Sequence, residues 1–109
     1  MSDRWRLTPQ ARRAIQDIAR WTVQTFGPEQ ADRYRQALID TCSRVAGHQT
    51  FDQSCRRLVA HDLAEDLRFA RCEQHFIVFV RDPGVVTIID ILHARSDLPG
   101  KLSRLDRAP

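Results

Sequence analysis

Two dense apolar runs, Phe76-Ile77-Val78-Phe79-Val80 and Val85-Val86-Thr87-Ile88-Ile89-Asp90-Ile91-Leu92, are separated only by Arg81-Asp82-Pro83-Gly84. Both are rich in β-branched and aromatic residues, which suit a pleated, packed surface. Asp82-Pro83-Gly84 has the composition of a tight turn. The pair reads as neighbouring antiparallel strands in the middle of a sheet, with one face against another layer. Leu67-Arg68-Phe69-Ala70-Arg71 alternates and supplies a further strand, with Arg68 and Arg71 on offset faces.

The first half has a different period. Arg4 to Thr8 alternates around Trp5 and Leu7, a short strand. Thr8-Pro9 is a helix start, cap followed by proline. Ala11, Ala14, Ile15, Ile18, Trp21 and Phe26 then recur at steps of about three and four, and they predict a helix over 9–26 with one apolar face. Gly27 stops it and Pro28 starts another, carried by Ala31, Tyr34, Leu38, Cys42 and Val45 through Ala46. Two amphipathic helices joined this closely double back as a hairpin. Residues 47–66 form a polar connector with Leu58, Val59 and Leu63 as anchors and room for a short helix at 56–64. Leu98, Leu102 and Leu105 anchor a terminal helix or tail. The expected fold is α+β, in the order β-α-α-β-β-β, an antiparallel sheet packed on an N-terminal helical hairpin.

At 109 residues the chain is expected to be one domain, 1–109. No apolar run reaches the roughly 20 residues of a membrane span, and the N-terminus lacks a signal-peptide core. A cytoplasmic protein with no membrane contact is expected. Cys42, Cys55 and Cys72 are a poor disulfide framework. Cys72-Glu73-Gln74-His75, with Cys55 and His61 upstream, lacks the paired doublets of a zinc site, so no metal is expected and Cys72 and His75 read as the flanks of a hairpin turn. There is no phosphate-cradling glycine loop or nucleophile elbow, and no cofactor is expected. Net charge is +3, with eight arginines against five acids in residues 1–46 and four basic residues against two acids after Leu92. That distribution suits an anionic partner, an acidic protein segment or nucleic acid, and equally an ordinary solvated surface.

Three stretches carry a family resemblance. Ala14-Ile15-Gln16-Asp17-Ile18-Ala19-Arg20-Trp21 resembles the opening helix of ParE-like toxins. Phe26-Gly27-Pro28-Glu29-Gln30-Ala31-Asp32-Arg33-Tyr34 is similar to the family's interhelical turn and second helix. Leu67-Arg68-Phe69, His75-Phe76-Ile77-Val78-Phe79 and Ile91-Leu92-His93-Ala94-Arg95-Ser96-Asp97 complete it, the last closely resembling the ParE branch of the RelE/ParE superfamily. The chain departs at Cys55-Arg56-Arg57, where the family often has glycine, and at Phe79, where it commonly has tyrosine. The resemblance implies the toxin of a type II toxin–antitoxin pair, an inhibitor rather than an enzyme, which poisons DNA gyrase by trapping its cleavage complex. It implies a ParD-like antitoxin as partner, indirect DNA contact through the antitoxin complex, and roles in plasmid maintenance or stress response.

Residue chemistry leaves alternatives open. RelE-type relatives cleave mRNA on the ribosome, which needs a base, an acid and phosphate-binding cations. His93 as base with Arg68 and Arg71 as phosphate ligands is the set available here; strand lysines and a C-terminal tyrosine are missing. A non-toxic relative that only binds its partner is the third reading. Trp21, Arg68, Arg71, His93, Arg95 and Asp97 are the candidates for target or antitoxin contact. Each has a plainer role: core packing for Trp21, a backbone hydrogen bond at a strand end for His93, and a local ion pair for Arg95 with Asp97. Aromatics exposed between hairpin and sheet, among Trp21, Phe26 and Tyr34, would take a partner's apolar helix face. Deleting the basic end after Leu92 is expected to abolish toxicity and to leave antitoxin binding partly intact.

Overall fold

The computed structural model describes residues 4–59, 63, 64 and 66–107. The elements are β1 (Trp5–Leu7), α1 (Pro9–Phe26), α2 (Pro28–Ala46), β2 (Gln53–Ser54), β3 (Arg68–Cys72), β4 (His75–Asp82), β5 (Val85–His93) and α3 (Leu98–Ser103). The sheet order is β1-β5-β4-β3-β2. β1 lies parallel to β5 and every other pairing is antiparallel, so the expected antiparallel sheet is in fact mixed. The physical reason is connectivity. β1 reaches β5 only after the whole hairpin has crossed one face of the sheet, and such a crossover permits parallel pairing. β2 is a two-residue edge strand in the connector. A 3₁₀ turn at Cys55–Arg57 follows it and stands where a short helix over 56–64 was expected; residues 60–62 of that stretch lie outside the described residues.

Thr8 caps α1 as its sequence position predicts. Its hydroxyl accepts from the Ala11 amide at 3.0 Å and donates to the Ile89 carbonyl at 2.6 Å. One buried side chain thus starts the helix and fastens it to β5. Gly27 joins the two helices at φ +94°, a conformation that a side chain would strain.

Both faces of the sheet are covered, which explains the unbroken apolar runs. Ala70, Cys72, Ile77, Phe79, Val86, Ile88 and Ile91 face the hairpin and pack on Ile15, Leu38, Cys42 and Val45. Leu67, Phe69, Phe76, Val78, Val80, Ile89 and Leu92 face the other way and pack under Cys55, Leu102 and the partly buried Leu58, Val59, Leu63, Leu98 and Leu105. The end of the chain is therefore part of a second core. Cutting it after Leu92 would strip that core of its cover, so lost toxicity in that deletion would report unfolding.

A β-bulge sets the register of the central hairpin. The turn pairs Asp82 with Val85, and pairing proceeds regularly to Phe79 with Ile88. Val78 then faces Asp90, Ile77 faces Ile91 and His75 faces His93. Without the extra residue at Ile89, His75 would face Leu92, and every later β5 side chain would point to the opposite face.

Candidate functional site: an aromatic pocket at the end of the hairpin

The bulge assembles the site. It turns His93 to the hairpin side of the sheet, opposite His75, with ring centroids 5.2 Å apart and edge to face. Tyr34 comes down from α2, and its hydroxyl lies 2.6 Å from His75 Nδ1. The last turns of α1 add Trp21 and Phe26, which are 59% and 63% exposed and meet edge to face at 5.8 Å. Together with Ile18 and the Arg33–Glu73 pair at the rim, these residues enclose a pocket of about 490 Å³ between hairpin and sheet. Large aromatics left this exposed beside a concavity are unusual on a free surface and mark contact sites.

Hydrogen bonding fixes what the polar wall offers. The Gln74 amide donates to the Tyr34 hydroxyl at 3.2 Å. The hydroxyl also reaches the Cys72 carbonyl at 3.3 Å, so it donates to His75 Nδ1 in one ring tautomer and, in the other, accepts from Nδ1–H and donates to the carbonyl. Burial raises the Tyr34 pKa, so the phenol stays protonated at neutral pH. Burial, and then the neighbouring His93, push the His75 pKa down to about 4, so its ring is neutral. His93 Nδ1 accepts the Arg95 amide at 3.0 Å. Because Nδ1 of His93 accepts that amide, the ring hydrogen sits on Nε2, which presents a donor. At the rim, Arg33 forks onto both carboxylate oxygens of Glu73 at 3.2 and 3.3 Å. The pocket is apolar, rimmed by a closed ion pair, and polar along the wall made by Tyr34, His75 and His93.

Of the residues singled out in the sequence, Trp21 and His93 line this pocket. His93 also plays its plainer role, since its carbonyl accepts from both the amide and the hydroxyl of Ser96 while its ring holds Arg95. Arg68 lies four residues away along β3, opposite Phe79, where it is bonded to Asp52. Asp52 also takes Arg81 at 2.9 Å. Burial alone would raise the Asp52 carboxyl, but hydrogen bonds from Arg81 and Arg68 outweigh it and hold the group below the usual range. Arg71 is on the opposite face of the sheet, stacked over Phe76 at 5.4 Å and bonded to the Glu73 carbonyl. Arg68, Arg71 and His93 are thus not gathered around one point. Arg95 and Asp97 are exposed and form no ion pair with each other among the described residues; Asp97 instead caps α3 through the Gly100 amide.

Sequence reading missed the Tyr34–His75 bond and the His75–His93 contact, although each residue had been noticed. The signal for them is the bulge, and nothing local announces it. Cys72 and His75 flank the two-residue β3–β4 turn as expected, and Cys42, Cys55 and Cys72 are buried free thiols. No cluster of three or more metal-ligating side chains occurs among the described residues, and His61 lies outside them. No helix among the described residues is long and apolar enough to cross a membrane.

Comparison with known proteins agrees with this architecture. The family described as ParE toxin of type II toxin-antitoxin system, parDE, matches residues 5–98. The chain is 31% identical to Toxin ParE of Escherichia coli over 99 residues, covering 89% of this chain and 90% of that protein. It is 24% identical over 103 residues to Toxin ParE1 of Mycobacterium tuberculosis (strain ATCC 25618 / H37Rv), covering 94% of this chain and all of that one. A solved chain described as Chromosomal ParDE TA system from P. aeruginosa shares the fold, with a TM-score of 0.66 at 16% identity over 83% of this chain and 94% of that one. With the family's match spanning β1 to the start of α3, this chain belongs to the ParE toxins of type II toxin–antitoxin systems.

Proposed function

We propose that the protein is a single-domain cytoplasmic toxin that acts on DNA gyrase by binding it and trapping its DNA-cleaved state, and that a ParD-like antitoxin silences it. In this reading gyrase supplies the chemistry and the toxin supplies a surface. The observation that carries it is the exposed Trp21–Phe26 pocket with the His93 ring N–H on its wall. An apolar cavity rimmed by a closed ion pair suits a protein's apolar anchor carrying a hydrogen-bond acceptor. Contact with DNA would then be indirect, through gyrase or the antitoxin complex.

Cleavage of mRNA on the ribosome is the competing reading. It would use His93 as base, yet the free His93 nitrogen carries the proton in the neutral ring, and Arg68 and Arg71 stand on opposite faces of the sheet. General base catalysis needs an available lone pair within reach of the reacting hydroxyl.

The test is a plasmid assay with purified gyrase and folded toxin. The expected outcome is linear plasmid released after detergent and protease treatment, and much less of it with Trp21→Ala. Unimpeded gyrase in the presence of folded protein would overturn the proposal, and cleavage of ribosome-bound mRNA would then be assayed.

A further inference from the structure

Both layers that cover the sheet are apolar, so the alternation of β5 does not by itself choose a register. As far as the Phe79–Ile88 pair, the turn fixes the pairing. Beyond it two continuations compete. In the observed one Ile89 is extra, Ile91 faces the hairpin layer, and Ile89 and Leu92 face the second core. In a regular ladder Ile89 would face Val78, Asp90 would face Ile77, and Ile91 would face Phe76. Isoleucine and leucine suit either layer. A regular ladder also leaves no residue unpaired, so pairing alone favours the register that is not adopted.

Asp90 separates the two. In the regular ladder its side chain would join Ile77 on the hairpin face, among Ile15, Leu38, Cys42 and Val45. A carboxylate buried among such side chains has no partner, and even its neutral acid would lack one. The bulge puts Asp90 opposite Val78 instead, at the margin of the sheet between α1 and α3. There the carboxylate accepts the Ile91 amide at 2.7 Å. Arg13, Asp17, Lys101 and Arg104 line the same groove. Burial raises the Asp90 carboxyl, while the Ile91 amide, Lys101 and Arg13 act against that shift. Asp90 is the only buried charged residue among those described. Its present place costs stability, and the alternative place would cost more.

We infer that Asp90 is a positioning residue for the aromatic pocket: it excludes the regular ladder, and so turns His93 onto the hairpin face beside His75. The selection operates only once both layers have packed, because the run itself does not show which face lacks a partner for a carboxylate. The register can be read without any target. Its consequence for gyrase rests on the function proposed above.

The test is the set of nuclear Overhauser contacts made by His75 in the full chain, in Asp90→Val and in Asp90→Asn. Valine suits either face, whereas asparagine still accepts the Ile91 amide. The rings of His75 and His93 lie 5.2 Å apart in the bulged register, and Leu92 takes the place of His93 in the regular one. The unaltered chain and Asp90→Asn should show only the His75–His93 contact. Asp90→Val should lose it, gain a His75–Leu92 contact, and move Ile91 from Ile77 to Phe76. Should that variant fail to fold, Asp90→Ala is read in the same way. A loss of stability alone would not exchange one set of contacts for the other. An unchanged His75–His93 contact in folded Asp90→Val or Asp90→Ala, or a His75–Leu92 contact in Asp90→Asn, would overturn the inference. In the plasmid assay the slipped variant should release at least about tenfold less linear DNA than Asp90→Asn, the scale of losing one interfacial anchor. A slipped variant that still traps gyrase would leave the register assignment standing and overturn the role given to the pocket.

Discussion

His75 is held neutral by its burial beside His93, with Nδ1 occupied by Tyr34. The folded ring binds its proton less tightly than in the unfolded chain, where histidine titrates near 6.5. Its contribution to stability is therefore complete above that pH and is lost as pH falls toward about 4. Because the ring is part-exposed, solvent screens part of the effect, which leaves about 1–2 kcal/mol. Urea unfolding at pH 7 and pH 5 should show a fall in midpoint that His75→Gln reduces; an unchanged fall would place the acid sensitivity elsewhere. The thiols behave oppositely to reactive cysteines. Burial raises Cys72 and pushes Cys42 and Cys55 up to about 12, so none is a thiolate at neutral pH. A thiol reagent should label the native protein slowly and the urea-unfolded protein at once; rapid native labelling would contradict the packing described.

At the scale of elements, two joints hold the site. Gly27 has the φ of +94° that joins α1 to α2 and places Phe26 beside Trp21. No atom lies within 4 Å of where a Cβ would stand, so Gly27→Ala tests backbone strain alone. It should cost about 1–3 kcal/mol in chemical denaturation; a neutral result would mean the turn readily relaxes. The second joint is α3, whose Leu102 is buried in the second core. Leu102→Ala should cost about 2–4 kcal/mol, although the residue lies far from the aromatic pocket. A loss below about 0.5 kcal/mol, within the range of surface substitutions, would show that the end of the chain is not structural.

For the molecule as a whole, the separation of Arg68, Arg71 and His93 has a kinetic consequence. Residues that act as one catalytic unit give grossly non-additive losses, because removing any one disables the rest. Residues that share no partner and do not touch lose activity additively, within about 0.5 kcal/mol. Alanine substitutions at these three positions, singly and together, should therefore combine additively in the gyrase assay. Collapse of every single variant to the level of the triple would show that the three side chains act as one unit.

Much was legible in the sequence because it depends on local chemistry. Thr8-Pro9 and Gly27-Pro28 marked the helix ends, since capping and a positive φ are properties of single residues. The apolar periods separated hairpin from sheet, and Asp82-Pro83-Gly84 located the turn between β4 and β5. Trp21 and His93 stood out as candidates by residue type. Other features came only with the tertiary structure. The parallel pairing of β1, the second core under the end of the chain and the pairing of Arg68 with Asp52 join residues far apart in sequence. The bulge at Ile89 is the sharpest case. One unpaired residue reverses the faces of Asp90 to His93, and Ile89 looks like any other residue of its apolar run. Local sequence determined which segments became helix and strand because propensity and periodicity act over a few residues. Register and the aromatic pocket were decided only when distant segments packed, because a one-residue slip leaves local composition unchanged while moving every side chain beyond it to the other face.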